Sequence, residues 1–130
     1  NAYRPLADGC SPCQGTDTLG PTAVLKSMSK LNCEDADGGL LLNMKFEPVV
    51  FEGESGITRL VSLIRSFVDL DLYHVQFNVV STKTLKLAQD NPNDYKSLLV
   101  RVAGYSAYFV ELSKDIQDDI INRTLYYAAN

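Results

Sequence analysis

Between Ile57 and Val80 the spacing of apolar residues changes once, from helical to alternating. Ile57, Leu60, Val61, Ile64, Phe67 and Val68 recur at steps of three and four, which stacks them on one side of a helix. Thr58, Arg59, Arg65, Ser66 and Asp69 fall opposite. From His74 the period drops to two: Val75, Phe77 and Val79 face one way, and His74, Gln76 and Asn78 the other, as in a strand. The same alternation extends along the chain. Pro21 suits the first turn of a helix striped by Val24, Leu25, Met28 and Leu31. LLLNMKF at 40–46 reads as a strand with Leu42, Met44 and Phe46 on one face. Helices interleaved with short, nearly fully apolar strands predict a mixed α/β unit.

The remaining segments fit between these elements. Residues 1–22 are rich in Gly, Pro, Asp and Thr and read as an irregular, folded loop; Asp35 to Gly39 and Glu52 to Gly56 read as turns. Ser81 or Thr82 caps a short helix that ends before Pro92. SLLVRVA at 97–103 is a third strand, broken at Gly104. Ser113 opens the last helix, with Ile116, Ile120 and Ile121 as its buried side. In that helix Asp115, Asp118 and Asp119 read as a solvated face, with Asp115 in the first turn where negative charge is favourable.

Charge and length narrow the function classes. Sixteen acidic against 12 basic residues leave a net charge of −4, with no basic stripe to neutralise phosphates, which argues against general nucleic-acid binding. No run reaches 18 consecutive apolar residues, so no membrane span is expected. With 45% hydrophobic residues in 130, the chain can bury one sizeable core, and it is neither a disordered tail nor a disulfide scaffold. It opens Asn1-Ala2-Tyr3-Arg4-Pro5, without an initiator Met or an apolar leader, and reads as cut from something longer or processed. An odd count of three cysteines and no leader favour a reducing, cytoplasmic setting.

Those cysteines are the first candidates for chemistry. Cys10-x-x-Cys13 has the spacing of half a metal or redox site, with Cys33 and His74 as conceivable further ligands. A tetrahedral site usually needs a second tight pair, and here the other candidates are single and distant. No metal is therefore expected, and small buried or incidental thiols are the better account. His74, the single histidine, shares the polar strand face with Gln76 and Asn78 and reads as a hydrogen-bonded structural residue.

The second candidate is RVAGYSA at 101–107. From spacing alone, one glycine in an apolar strand marks a bulge or tight turn. The string itself resembles the signature of glycyl radical enzymes, the pyruvate formate-lyase superfamily. HVQFNVVSTKTLKLAQDNPNDYKSLLVRVAGYSAYFVELSKDIQDDIINRT is similar to that family's C-terminal region, and PLADGCSPCQGTDTLGPTAVLKSMSKL to the stretch before it. The resemblance covers essentially the whole chain. Ala103 before Gly104, and Ser106-Ala107 after Tyr105, are similar to the branch of glycerol dehydratase, choline trimethylamine-lyase and hydroxyphenylacetate decarboxylase. Pyruvate formate-lyase proper usually has Ser before this glycine and Ala-Val after the tyrosine.

The resemblance implies the C-terminal part of a large α/β barrel, with residues 1–50 ending the barrel-type catalytic region and 51–130 forming the glycyl radical domain. It implies an unpaired electron stored on Gly104, with no bound cofactor. A 4Fe-4S activating enzyme that uses S-adenosylmethionine would install it. Glycine suits the role because a backbone carbon radical is stabilised when it flattens and shares spin with the neighbouring amide and carbonyl, and a side chain would crowd that arrangement. Arg101, Val102, Ala103, Tyr105, Ser106 and Ala107 would shape the loop, Arg101 as a hydrogen-bonded anchor. Tyr105 and Tyr108 would shield it, along with apolar Leu98, Val100, Val102 and Phe109, and His74, on its polar strand face, could help hold the loop or a partner surface. The family's thiyl cysteine lies upstream in a Gly-Cys motif followed by Val-Glu or a near variant. Cys10 in DGCSPC and Cys33 in LNCED do not match it, so no catalytic cysteine is assigned. The implied partners are the activase, the rest of the barrel carrying that cysteine, and a small-molecule substrate. The implied reaction is anaerobic C–C, C–O or C–N cleavage, of lyase, dehydratase, decarboxylase or formate acetyltransferase-like type. An alternative is a stand-alone spare part that restores an oxygen-damaged enzyme; a weaker one is a CxxC metal-binding module.

Overall fold

The computed structural model describes residues 9–36 and 40–127, without the side chain of Cys33. The start of the expected N-terminal loop and positions 37–39 of the expected turn lie outside the described residues. The elements run α1 (Pro21–Met28), β1 (Leu41–Phe46), α2 (Gly53–Asp69), β2 (His74–Val79), α3 (Thr82–Asp90), β3 (Leu99–Arg101), β4 (Ser106–Tyr108), α4 (Lys114–Asn122) and β5 (Leu125–Tyr126).

Strands β2, β1 and β5 make one parallel sheet in that order. β1 and β2 pair over six residues, from Leu41 opposite His74 to Phe46 opposite Val79. Parallel neighbours cannot be joined by a tight turn, and α2 supplies the crossover. β3 and β4 form a separate antiparallel hairpin, with Arg101 opposite Ser106. The mixed helices and short strands match the expected α/β class.

Two apolar cores organise these elements. Leu42, Met44 and Phe46, all buried as the strand pattern predicts, meet Val24, Leu25 and Met28 of α1, Leu63 of α2 and Tyr126 of β5. The Phe46 ring lies 4.8 Å from that of Phe51, 5.6 Å from Phe77 and 5.3 Å from Tyr126 between centroids. The second core joins Leu85 and Ala88 of α3, Val100, Val102 and Phe109 around the hairpin, and Ile120 of α4.

Several expectations need correction. The helix expected from Ile57 begins at Gly53, so Gly53 to Gly56 are helical rather than a turn. Its buried line is Gly56 and Leu63 with half-buried Leu60 and Phe67, whereas Ile57 and Val68 are each 61% exposed and Val61 and Ile64 are also exposed. The apolar residues occupy two adjacent lines of the helix, and one of them packs. At Gly56 a Cβ would stand 2.2 Å from the carbonyl carbon of Phe51, so only glycine lets the chain turn this tightly into the helix. Leu31 lies beyond the end of α1 and is exposed. The third strand is shorter than 97–103, and β4 and β5 were not expected. The polar face of β2 is the more buried one: Gln76 and Asn78 are 5% and 6% exposed, while Val79 is exposed. The hairpin lies over that face.

Candidate functional site

Gly104 sits at the tip of the β3–β4 hairpin. Val100 and Val102 are buried in the second core, as is Phe109 just after β4, so the base of the hairpin is fixed by packing. The Val102 amide donates to the Tyr105 carbonyl at 2.9 Å and closes the tip. Ala103, Gly104, Tyr105 and Ser106 are exposed, Ala107 half-buried. Gly104 has φ 78°, a left-handed angle that residues with a side chain rarely adopt. Among the described residues, and its own chain neighbours aside, no atom lies within 4 Å of where its Cβ would be, so backbone angle rather than crowding calls for glycine.

The loop is held from β2. Asn78 accepts from the Arg101 amide through Oδ1 and donates to the Arg101 carbonyl through Nδ2, both at 2.7 Å. This side chain thus satisfies both backbone groups of one residue, as a neighbouring strand would. Two residues earlier on the same face, Gln76 Oε1 accepts from Arg101 Nε at 3.2 Å and from the Gly104 amide at 3.3 Å. Buried amides are stable only when hydrogen-bonded, and here the loop supplies the partners. Arg101 also donates from Nη1 to Ser106 Oγ at 3.1 Å, crossing the hairpin. Its carbonyl takes a further bond from Arg123 Nη1 at 3.3 Å. His74 is exposed, with Nε2 3.5 Å from Nε2 of Gln76.

The frame behind the hairpin is also polar. Lys45, only 1% exposed, points its amine at the end of α4 and donates to the Ile121 carbonyl at 2.8 Å and the Ile120 carbonyl at 3.2 Å. Carbonyls at a helix C-terminus are unpaired within the helix and attract a cation. Burial first, and then the Arg123 charge, lower the Lys45 pKa to about 8 against the pull of Glu47 and Asp119. Asp17 accepts from Thr124 Oγ1 and, at 2.7 Å, from Tyr126 Oη, tying the N-terminal loop to β5. Burial, then the hydrogen bond and charge of Asp17, raise Tyr126 above the usual phenol range.

The sequence-predicted residues are thus brought together unevenly. Arg101, Gly104 and Ser106 converge with Gln76 and Asn78. Tyr105 and Tyr108 are 50% and 43% exposed and lie open rather than packed over the glycine. Leu98, Val100, Val102 and Phe109 line the base of the hairpin, not its tip. The α4 acids are not simply solvated: Asp118 accepts from Gln89 at 2.8 Å, and Asp119 from Gln14 at 2.9 Å while pairing with Arg123 at 3.2 Å. Cys10 is half-buried against the first core and Cys13 is exposed, both as free thiols. Among the described residues, no group of three or more His, Cys, Asp or Glu side chains converges to hold a metal ion, and no helix is long and apolar enough to cross a membrane. Lys45 and Arg123 had no signal in spacing or motif.

Chemically, the arrangement presents one unhindered α-carbon on a rigid stalk, with its amide fixed from below. A family model described as glycine radical matches residues 6–110. The isethionate sulfite-lyase of Oleidesulfovibrio alaskensis is 53% identical over 129 residues, covering 98% of this chain and 16% of its own length. The trans-4-hydroxy-L-proline dehydratase of Clostridioides difficile is 49% identical over 121 residues, covering 93% of this chain and 15% of its own length. In solved structures, the glycerol-bound B12-independent glycerol dehydratase of Clostridium butyricum superposes with a TM-score of 0.91 at 53% identity, over 95% of this chain and 16% of that one. The chain therefore spans about one sixth of the length of the relatives it matches.

Proposed function

This chain belongs to the glycine radical family, and from that premise we propose that it is the radical-bearing C-terminal portion of an anaerobic lyase-type enzyme, with Gly104 as the radical carbon. One observation carries the reading: the glycine stands at φ 78° on an exposed tip with open space around it, while the hairpin beneath is locked into a buried core. An activating enzyme can reach such a carbon without unfolding its support.

In the proposed sequence, an organic radical generated from S-adenosylmethionine by a 4Fe-4S activase takes one hydrogen atom from Gly104 Cα. The C–H bond breaks homolytically and one electron stays on the carbon. That carbon later takes a hydrogen atom from a cysteine thiol carried by the rest of the barrel. The resulting thiyl radical begins C–C, C–O or C–N cleavage of a small metabolite. The chain's own part is to hold the spin, since a protein can position and shield a radical centre whose chemistry is intrinsic to it. Arg101, Val102, Ala103, Tyr105, Ser106 and Ala107 shape the loop, with Arg101 as its anchor. The exposed tip needs the remaining barrel to exclude oxygen and solvent, and an anaerobic setting follows from that sensitivity; the same reading puts the enzyme in the cytoplasm. On this reading residues 1–50 end the barrel-type region and 51–130 are the radical domain, with β1 of one part and β2 and β5 of the other sharing a sheet.

Anaerobic incubation with the cognate activase is expected to give a carbon-radical signal by electron paramagnetic resonance, split by the one hydrogen left on Gly104. Gly104→Ala should abolish the signal and leave the chain folded: the methyl group meets open space, and the left-handed angle costs only about 1–2 kcal/mol, at an exposed tip. A signal that survives the substitution would overturn the assignment.

A further inference from the structure

Two buried amides under the hairpin divide their work, and the difference bears on the radical carbon. Asn78 binds only Arg101, in the strand stem. Gln76 reaches the tip: one oxygen accepts from both the Arg101 side chain and the Gly104 amide. The peptide on the amino side of the glycine is thereby tied to β2, the rigid strand at the sheet edge. Among the described residues no hydrogen bond ties the peptide on the carboxyl side in the same way, and the space beside Gly104 is open.

This asymmetry matters because the radical and its parent prefer different shapes. Sharing spin between the amide nitrogen and the carbonyl requires both flanking peptide planes to lie near the plane of the radical carbon, which is an extended backbone. At φ 78° the amino-side plane is turned far from that extended setting. The geometry seen here suits the carbon that still carries both hydrogens.

We propose that Gln76 is the positioning residue of the radical centre: its Oε1 holds the amino-side peptide plane of Gly104 fixed, so that when the carbon flattens it is the carboxyl side of the tip, Gly104–Tyr105, that turns. Gln76 serves as a pivot rather than a catalytic group. Arg101, on the same oxygen, keeps that amide oriented toward the loop, and Ser106 braces Arg101 from the far strand. The inference rests on the radical assignment of Gly104 proposed above.

The test compares Gln76→Met, which keeps length but removes the acceptor, with Gln76→Glu, which keeps an acceptor oxygen. Both are made in the full-length polypeptide that carries this region. Electron–nuclear double resonance in H2O and D2O reads the coupling of the exchangeable Gly104 amide proton, and turnover is normalised per spin. Gln76→Met is expected to shift and broaden that coupling and to lower turnover per spin about tenfold, the loss expected of two hydrogen bonds acting together. Gln76→Glu is expected to keep the wild-type coupling. A merely structural role would lower the number of spins without changing the coupling of each. Unchanged coupling and turnover per spin in Gln76→Met would overturn the pivot. If that variant forms no radical, Gln76→Glu decides: a wild-type spectrum supports the pivot and an altered one overturns it. Absence of any radical in the wild type, or its survival in Gly104→Ala, would instead overturn the assignment of Gly104 itself.

Discussion

Replacing Asn78 with leucine removes the amide that binds both backbone groups of Arg101 while keeping a side chain of similar size. The two lost bonds are each 2.7 Å long, and the residue that makes them is only 6% exposed. Their loss is unequal. The Arg101 carbonyl keeps its bond from Arg123, whereas the Arg101 amide, inside the hairpin, loses its side-chain acceptor. A net hydrogen bond contributes about 1 kcal/mol, and a buried donor left alone costs about 1–3 kcal/mol. The substitution should therefore lower the free energy of opening the hairpin by about 2–4 kcal/mol. At 1.4 kcal/mol per tenfold, amide protection across residues 99–108 should fall roughly 30- to 700-fold. Hydrogen exchange followed by mass spectrometry reads this directly, peptide by peptide. Asn78→Asp, which keeps the acceptor for the Arg101 amide but not the donor, should show a smaller loss. Unchanged protection of 99–108 in Asn78→Leu would refute the view that β2 holds the loop.

Other consequences follow from the frame. Gly56→Ala forces a methyl group to within 2.2 Å of the Phe51 backbone and should destabilise the chain by about 1–3 kcal/mol, the scale of overpacking with backbone shift, as measured by thermal unfolding. Lys45 gives a signed pH effect. Below pH 8 it is charged in both folded and unfolded chains, and the full burden of burying the cation applies. Between about 8 and 10.5 the unfolded chain still binds the proton that the folded chain has released, so this group's contribution to stability rises with pH, by up to about 3 kcal/mol. Denaturant titrations of wild type and Lys45→Met should differ by that rising slope in this window; parallel profiles would contradict the buried-amine account. Tyr126, raised by burial, works the other way above the ordinary phenol pKa of 10, where the unfolded chain ionises and the folded chain does not.

The parts legible from residue spacing were those in which local pattern and tertiary burial agree. Leu42, Met44 and Phe46 alternate and are buried; Ser81 caps α3, its Oγ accepting from the Thr84 amide at 3.0 Å. Ser113 precedes α4 without a side-chain capping bond. Spacing failed where burial was decided by something distant in sequence. Six apolar residues marked α2, yet the side that packs is the one that meets α1 and β1 through Leu63 and Phe67, which no periodicity within the helix encodes. Gln76 and Asn78 read as a polar face because alternation separates polar from apolar residues but not solvent from a covering hairpin. Lys45 carried no local signal, because its partners lie 75 and 76 residues further on. β5 is two residues long and carries no pattern at all. For the site, the RVAGYSA string pointed to Gly104, while the clamp beneath it needed three-dimensional contacts to be seen.

The measurement that tests the central claim most directly is the position of backbone cleavage when the activated protein meets air. A radical localised on Gly104 should react with oxygen there and split the chain at that residue, giving two fragments whose masses meet at Gly104, in proportion to the spins present beforehand. Gly104→Ala carried through the same treatment should stay intact. Cleavage at another residue, or an intact chain after a full radical signal has been quenched by air, would contradict the account.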